Sequence, residues 1–128
     1  MPLIVLIDDD RDFLEMNRGI LEAQGFRISC FTDADQAWQS MKAEAPDLVI
    51  TDLMMRSLDS GFSLARKIKS DPGLGDLPVI IVTAVASRRG FDFNPGSRAE
   101  LEAMGADAYF DKPVAPQLLV AKVKELLP

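Results

Sequence analysis

Three observations predict an α/β fold, a single doubly wound (βα)5 domain with a five-stranded parallel sheet. Short apolar runs alternate with stretches of helical period five times along the chain. Runs such as Leu3-Ile4-Val5-Leu6-Ile7 are apolar at every position, which suits strands covered by helices on both faces. Finally, 128 residues, 48% of them apolar and 27% charged, match one ordinary globular domain with a sizeable core. One domain is therefore expected to span residues 1–128.

The first strand is Leu3 to Ile7, and a helix follows from Arg11 to Gln24, with Gly25 just past its end, where glycine closes helices. The second strand runs from Phe26 to Phe31. Asp33 and Gln36 make a capping pair for a helix from Asp35 to Ala43. Next come a strand Leu48 to Thr51, a helix Phe62 to Ser70 and a strand Val79 to Thr83. A weaker helix, Ala99 to Met104, precedes Gly105, and the strand Ala108 to Phe110 leads to a last helix, Gln117 to Leu127, with Pro116 in its first turn. The longest stretch without periodicity lies between Ala84 and Arg98, broken at Gly90 and Pro95-Gly96. Loops of that length are usually functional or mobile.

Composition removes several classes of function. A net charge of −6 repels nucleic acid and anionic lipid wherever it is not locally reversed, so protein or metal partners are favoured. There is no histidine, so no imidazole base, imidazole ligand or phosphohistidine can come from this chain. The lone Cys30 cannot close an intrachain disulfide and reads as a small buried hydrophobe. No basic leader precedes Leu3–Ile7, and that run is too short for a signal peptide or a membrane span, so a soluble cytoplasmic protein is expected.

In open parallel sheets ligands bind beyond the carboxyl ends of the strands. Here the first strand ends in Asp8-Asp9-Asp10, the third in Asp52, the fourth in Thr83, and the fifth leads to Lys112. If the first and third strands are neighbours, Asp8, Asp9 and Asp52 bring −3 of charge into one cleft, which cannot stay uncompensated. Mg²⁺ at +2 and Lys112 at +1 would cancel it, and Mg²⁺ favours carboxylates, waters and phosphate oxygens. Such a site is suited to phosphoryl chemistry. Asp10 reads equally well as a helix cap. An EF-hand over Asp8, Asp10 and Asp12 fails, because position six is Phe13 and position twelve Gly19.

The segments Leu6-Ile7-Asp8-Asp9-Asp10, Pro46-Asp47 through Asp52-Leu53-Met54-Met55, Pro78 through Thr83-Ala84, and Asp107-Ala108-Tyr109-Phe110-Asp111-Lys112-Pro113 occur in that order along the whole chain. In them the chain closely resembles the receiver domain of bacterial two-component response regulators. The resemblance implies the flavodoxin-like strand order 2-1-3-4-5. It implies that Asp52 is the phosphoacceptor, that Asp8, Asp9, Asp52 and the backbone carbonyl of Met54 hold Mg²⁺, and that Thr83 and Lys112 bind phosphoryl oxygens. Thr83 and Tyr109 would act as the switch, and Met54 and Val85 would flank the attacking water and set the lifetime of the phosphoryl group. The implied partners are a sensor histidine kinase or a histidine phosphotransfer protein, and a downstream protein bound through the fourth helix, fifth strand and fifth helix. A phosphorylation-dependent dimer would be compatible with that face. The implied activity is confined to the chain's own phosphorylation and dephosphorylation, and Lys112-Pro113 would be cis.

Two departures stand out. Arg56 replaces the usual proline, with one extra residue before Gly61, and the segment from Thr83 to Lys112 is several residues longer than usual, around Phe91 to Pro95. Because the chain ends at Pro128, directly after the last predicted helix, a stand-alone receiver or one cut from a larger protein is expected. Two other classes compete: a pseudo-receiver that binds partners without phosphorylation, and a small aspartyl-phosphate phosphatase of the haloacid dehalogenase type, with Asp8 as nucleophile. A nucleotide binder fares worse, since Gly73-x-Gly75 is followed by Pro78 and no Gly-Lys-Ser/Thr occurs.

Overall fold

Leu48, Val49 and Ile50 have no exposed surface, and neither do Val79, Ile80, Ile81 and Val82, so these strands are covered on both sides as their unbroken apolar runs require. A computed structural model describes residues 2–52, 60–83, 106–111 and 114–127, with only the backbone at 60–63, 83 and 111. Its strands are β1 (Leu3–Ile7), β2 (Arg27–Phe31), β3 (Leu48–Thr51), β4 (Val79–Thr83) and β5 (Ala108–Asp111). All pairings are parallel, in the order β2-β1-β3-β4-β5. The described helices are α1 (Arg11–Ala23), α2 (Ala34–Ala43), α3 (Ser60–Ser70) and α4 (Pro116–Leu126). The helix expected over 99–104 and the segment 84–98 lie outside the described residues, as do Arg56 and Pro113.

Alternation along each strand divides the core in two. Ile4, Leu6, Leu48, Ile50, Ile80 and Val82 meet Phe13, Leu14 and Leu21 of α1 and Leu119 and Val123 of α4. Val5, Ile7, Val49, Val79 and Ile81 meet Ala37 and Met41 of α2 and Leu64, Ala65 and Ile68 of α3. Each fully buried Ile or Leu contributes about 1.5–3 kcal/mol. Along the α2–α3 seam, Lys42 pairs with Asp71, and the ammonium groups of Lys42 and Lys67 lie 5.5 and 5.9 Å from the centre of the Trp38 ring. The Lys42 hydrogen bond, then the Gly73 amide, hold the Asp71 carboxyl below the ordinary range.

Element ends differ from the expected ones by a residue or two, each for a local reason. α1 stops at Ala23 and β2 starts at Arg27 because Gln24, Gly25 and Phe26 form the turn between them. Gly25 has φ +95°, its N–H donates to the Glu22 carbonyl, and the Phe26 N–H reaches back to Leu21. This is a Schellman closure, with Leu21 and Phe26 packed in one cluster. α2 begins one residue early, at Ala34, because Asp33 is the cap and accepts from the amides of Asp35 and Gln36. α3 starts at Ser60, two residues before Phe62, and β5 runs one residue past Phe110, where Asp111 pairs with Thr83. α4 takes Pro116 as its own first residue and ends at Leu126.

Two aspartates close the amino-terminal edge of the sheet by the same device. The N–H of Asp47 donates to the Leu3 carbonyl at 2.7 Å, and its carboxylate accepts from the Leu3 N–H at 2.7 Å. Asp107 does the same with Val79, at 2.7 and 2.8 Å, and its carboxylate also receives Lys69 at 3.0 Å. Each residue stands immediately before a strand and ties its neighbour's first peptide, which fixes register where the ladder begins. Asp107→Ala is expected to cost about 1–3 kcal/mol, toward the lower end because Asp107 is exposed. The urea midpoint should fall without a change in slope. An unchanged midpoint would show that these bonds add nothing.

Candidate functional site

With β1 and β3 adjacent, the order of the sheet reverses between them, and the crevice beyond their carboxyl ends is the place such folds offer a ligand. Ile7 is opposite Thr51 in register, so the next residue of each strand, Asp8 and Asp52, leaves the sheet at the same level. Both stay in the ladder by their backbones: the Asp8 N–H donates to the Phe31 carbonyl and the Asp52 N–H to the Ile7 carbonyl, each at 3.0 Å. The strands therefore fix the backbone from which both carboxylates extend. Asp8 is fully buried and Asp52 is 1% exposed, whereas Asp9 is open to solvent.

One carboxylate oxygen from each of Asp8, Asp9 and Asp52 lies within 4.8 Å of the others. Like charges about 4 Å apart repel by about 4 kcal/mol at an effective dielectric near 20, less at Asp9, where solvent screens it. Three hard oxygen donors with one side open to water suit Mg²⁺, which keeps several waters, and offer no nitrogen or sulfur for zinc. The residues present thus fit a hard divalent cation.

Asp10 resolves to the helix cap. Its side chain accepts from the amides of Asp12 and Phe13 at 3.0 and 3.3 Å, and its own N–H donates to Asp8 Oδ1 at 2.9 Å. That bond ties the start of α1 to the site. Thr83 ends β4 opposite Asp111, which places its backbone on the same sheet edge and puts Lys112 next in the chain. The Thr83 side chain, Met54, Val85 and Lys112 lie outside the described residues. Tyr109 stands opposite Ile81 on β5, half-buried against the core beneath α2 and α3.

Sequence reasoning assigned no role to Asp47, Asp107 or Thr51. The first two carried a signal, an aspartate directly before a buried strand; the third shows itself only once Asp52 is placed. At the opposite edge a groove of about 710 Å³ is lined by residues including Pro46, Asp47, Lys69, Asp71 and Leu77. Three of its charged groups already serve the fold: Asp47 holds Leu3, Asp71 holds Lys42, and Lys69 holds the Leu77 carbonyl and Asp107. Among the described residues no helix is long and apolar enough to cross a membrane.

Comparison with known proteins gives the family. The family model for the response regulator receiver domain matches residues 4–124. Response regulator Rre1 of Synechocystis sp. is 34% identical over 125 residues, 97% of this chain and 51% of that protein. The phosphate regulon transcriptional regulatory protein PhoB of Rhizobium meliloti is 33% identical over 127 residues, 99% of this chain and 52% of that protein. The chain thus spans about half the length of these curated relatives. Among solved structures, the signal receiver domain of a signal transduction histidine kinase from Syntrophus aciditrophicus superposes with a TM-score of 0.82 at 28% identity, covering 99% of this chain and 90% of that one. Chemotaxis response regulator CheY4 of Vibrio cholerae, 20% identical and covering 99% of both chains, shares the fold with a TM-score of 0.83. With its sheet order, its acidic cluster and a family match over nearly its whole length, the chain belongs to the response regulator receiver domain family.

Proposed function

We propose that residues 1–128 act as one receiver domain, which accepts a phosphoryl group on Asp52 from a sensor histidine kinase or a histidine phosphotransfer protein. The observation that carries this reading is the convergence of Asp8, Asp9 and Asp52 at the β1–β3 switch point, with two of the three carboxylates buried. A carboxylate oxygen of Asp52 attacks phosphorus, the bond from phosphorus to the donor's imidazole nitrogen breaks, and the electron pair stays with the imidazole. Mg²⁺, held by Asp8, Asp9, Asp52 and the Met54 carbonyl, would neutralise charge on the transferring oxygens. Thr83 and Lys112 serve the remaining oxygens, Thr83 and Tyr109 carry the switch, and hydrolysis regenerates Asp52. The domain turns over no separate substrate. It signals by exposing a changed protein-binding face in the cytoplasm, where its acidic surface disfavours nucleic acid and membrane.

Incubation with acetyl phosphate and Mg²⁺, followed by intact-mass analysis, tests this. One added phosphoryl group that requires Mg²⁺ is expected. No gain in mass, alongside retained binding of a partner, would favour a receiver that works without phosphorylation.

The lifetime of the phosphorylated form is expected to be long. Met54 and Val85 cannot orient an attacking water by hydrogen bonding, and both offer apolar cover. Met54→Asn combined with Val85→Glu should hasten decay roughly tenfold or more. Equal decay in wild type and variant would remove these two residues from control of the lifetime.

A further inference from the structure

Thr51 is a polar residue in an apolar layer. It is fully buried in β3, opposite Ile7 on one side and Ile81 on the other, on the sheet face whose neighbours are Val49 and Leu64. Valine would fill that place with nearly the same shape and without desolvating a hydroxyl. The hydroxyl is committed to one bond: Thr51 Oγ1 donates to the carbonyl of Asp52 at 3.0 Å. That carbonyl belongs to the peptide by which the chain leaves the sheet.

We infer that Thr51 is a positioning residue for Asp52. The amide of Asp52 is held from one side by the Ile7 carbonyl at 3.0 Å, and the Thr51 hydroxyl holds the carbonyl on the other side of the same residue. With both flanking peptides fixed, rotation of the Asp52 backbone is restrained, and its carboxylate keeps its place against Asp8 and Asp9. The bond stabilises the site geometry more than the fold, because the layer around Thr51 would accept a methyl group in place of the hydroxyl. This inference rests on the reading of Asp52 as a member of the metal and phosphoryl site.

Thr51→Val and Thr51→Ser test it, with the melting temperature in EDTA, Mg²⁺ affinity by calorimetry, and phosphoryl uptake from acetyl phosphate by intact mass. Thr51→Val is expected to melt at or above the wild-type temperature, yet to bind Mg²⁺ and take up phosphoryl about 2- to 10-fold less well. Thr51→Ser, which keeps the hydroxyl, should recover most of both while melting lower for its lost methyl group. Wild-type affinity and rate in Thr51→Val would overturn the inference, and so would losses in Thr51→Val that Thr51→Ser shares in full. If wild type itself takes up no phosphoryl group, the phosphoacceptor reading fails, and the order of Mg²⁺ affinities among the three proteins still decides the role of Thr51.

Discussion

Asp52→Asn is expected to take up no phosphoryl group under conditions in which the wild type gains one. The substitution keeps the shape of the side chain and leaves the backbone bond from Asp52 to Ile7 in place, so the fold around β3 should survive. What changes is the chemistry: a carboxamide lacks the anionic oxygen that would attack phosphorus in the proposed transfer, and the cluster also loses one of its three carboxylates. Asp8→Asn is a useful partner experiment, because it leaves the proposed acceptor intact while weakening the candidate metal site, and uptake should then be slowed and not abolished. Intact mass over time separates these outcomes. Equal uptake by wild type and Asp52→Asn would place the acceptor elsewhere. Uptake lost in Asp8→Asn but retained in Asp52→Asn would make Asp8 the nucleophile, as in the dehalogenase-type phosphatases.

The strands were legible in the sequence because burial on both faces leaves a pattern that little else produces: Leu3–Ile7 and Val79–Thr83 have no polar alternation to confuse them with surface strands. β2 was also found, although it is an edge strand with partial exposure throughout, because Ile28 and Phe31 flank small residues in a β-rich run. Element ends were less legible, since they depend on single backbone bonds. The turn at Gly25 took Gln24 from the helix and Phe26 from the strand, and Asp33 set the start of α2 one residue before the periodic pattern.

The site was legible for a different reason. A parallel sheet brings every strand's carboxyl end to one edge, so reading the residue after each apolar run lists the candidates for that edge from the sequence alone. Asp8 and Asp52 follow their strands directly and fall together as that rule requires. The role of Asp10 stayed open until the cap was seen, because an aspartate that caps a helix and one that holds a metal look identical in sequence. Bonds across the sheet were beyond reach: the carboxylate of Asp107 meets the Val79 amide 28 residues away, and the partnership depends on strand order.

Mg²⁺ alone, without any phosphoryl donor, is expected to raise the thermal stability of the protein. Folding confines three carboxylates within 4.8 Å of one another and removes two of them from water, a cost that the unfolded chain does not bear. A cation that binds the folded state stabilises it by RT ln(1 + [Mg²⁺]/Kd), about 2.7 kcal/mol at a hundred times Kd. For a domain of this size the midpoint should rise by roughly 10 °C. Asp9→Ala should remove that rise. Asp9 is the suitable residue to change because it is open to solvent, so a lost response can be assigned to the metal and not to a damaged core. In EDTA the variant should melt no lower than wild type, since one repulsive charge has gone. Potassium chloride at matched ionic strength controls for general screening, which acts on the exposed charges of a chain with net charge −6 and much less on the two buried carboxylates of the cluster. If Asp9→Ala still responds to Mg²⁺ as wild type does, or potassium chloride reproduces the shift, the metal is not held by this cluster.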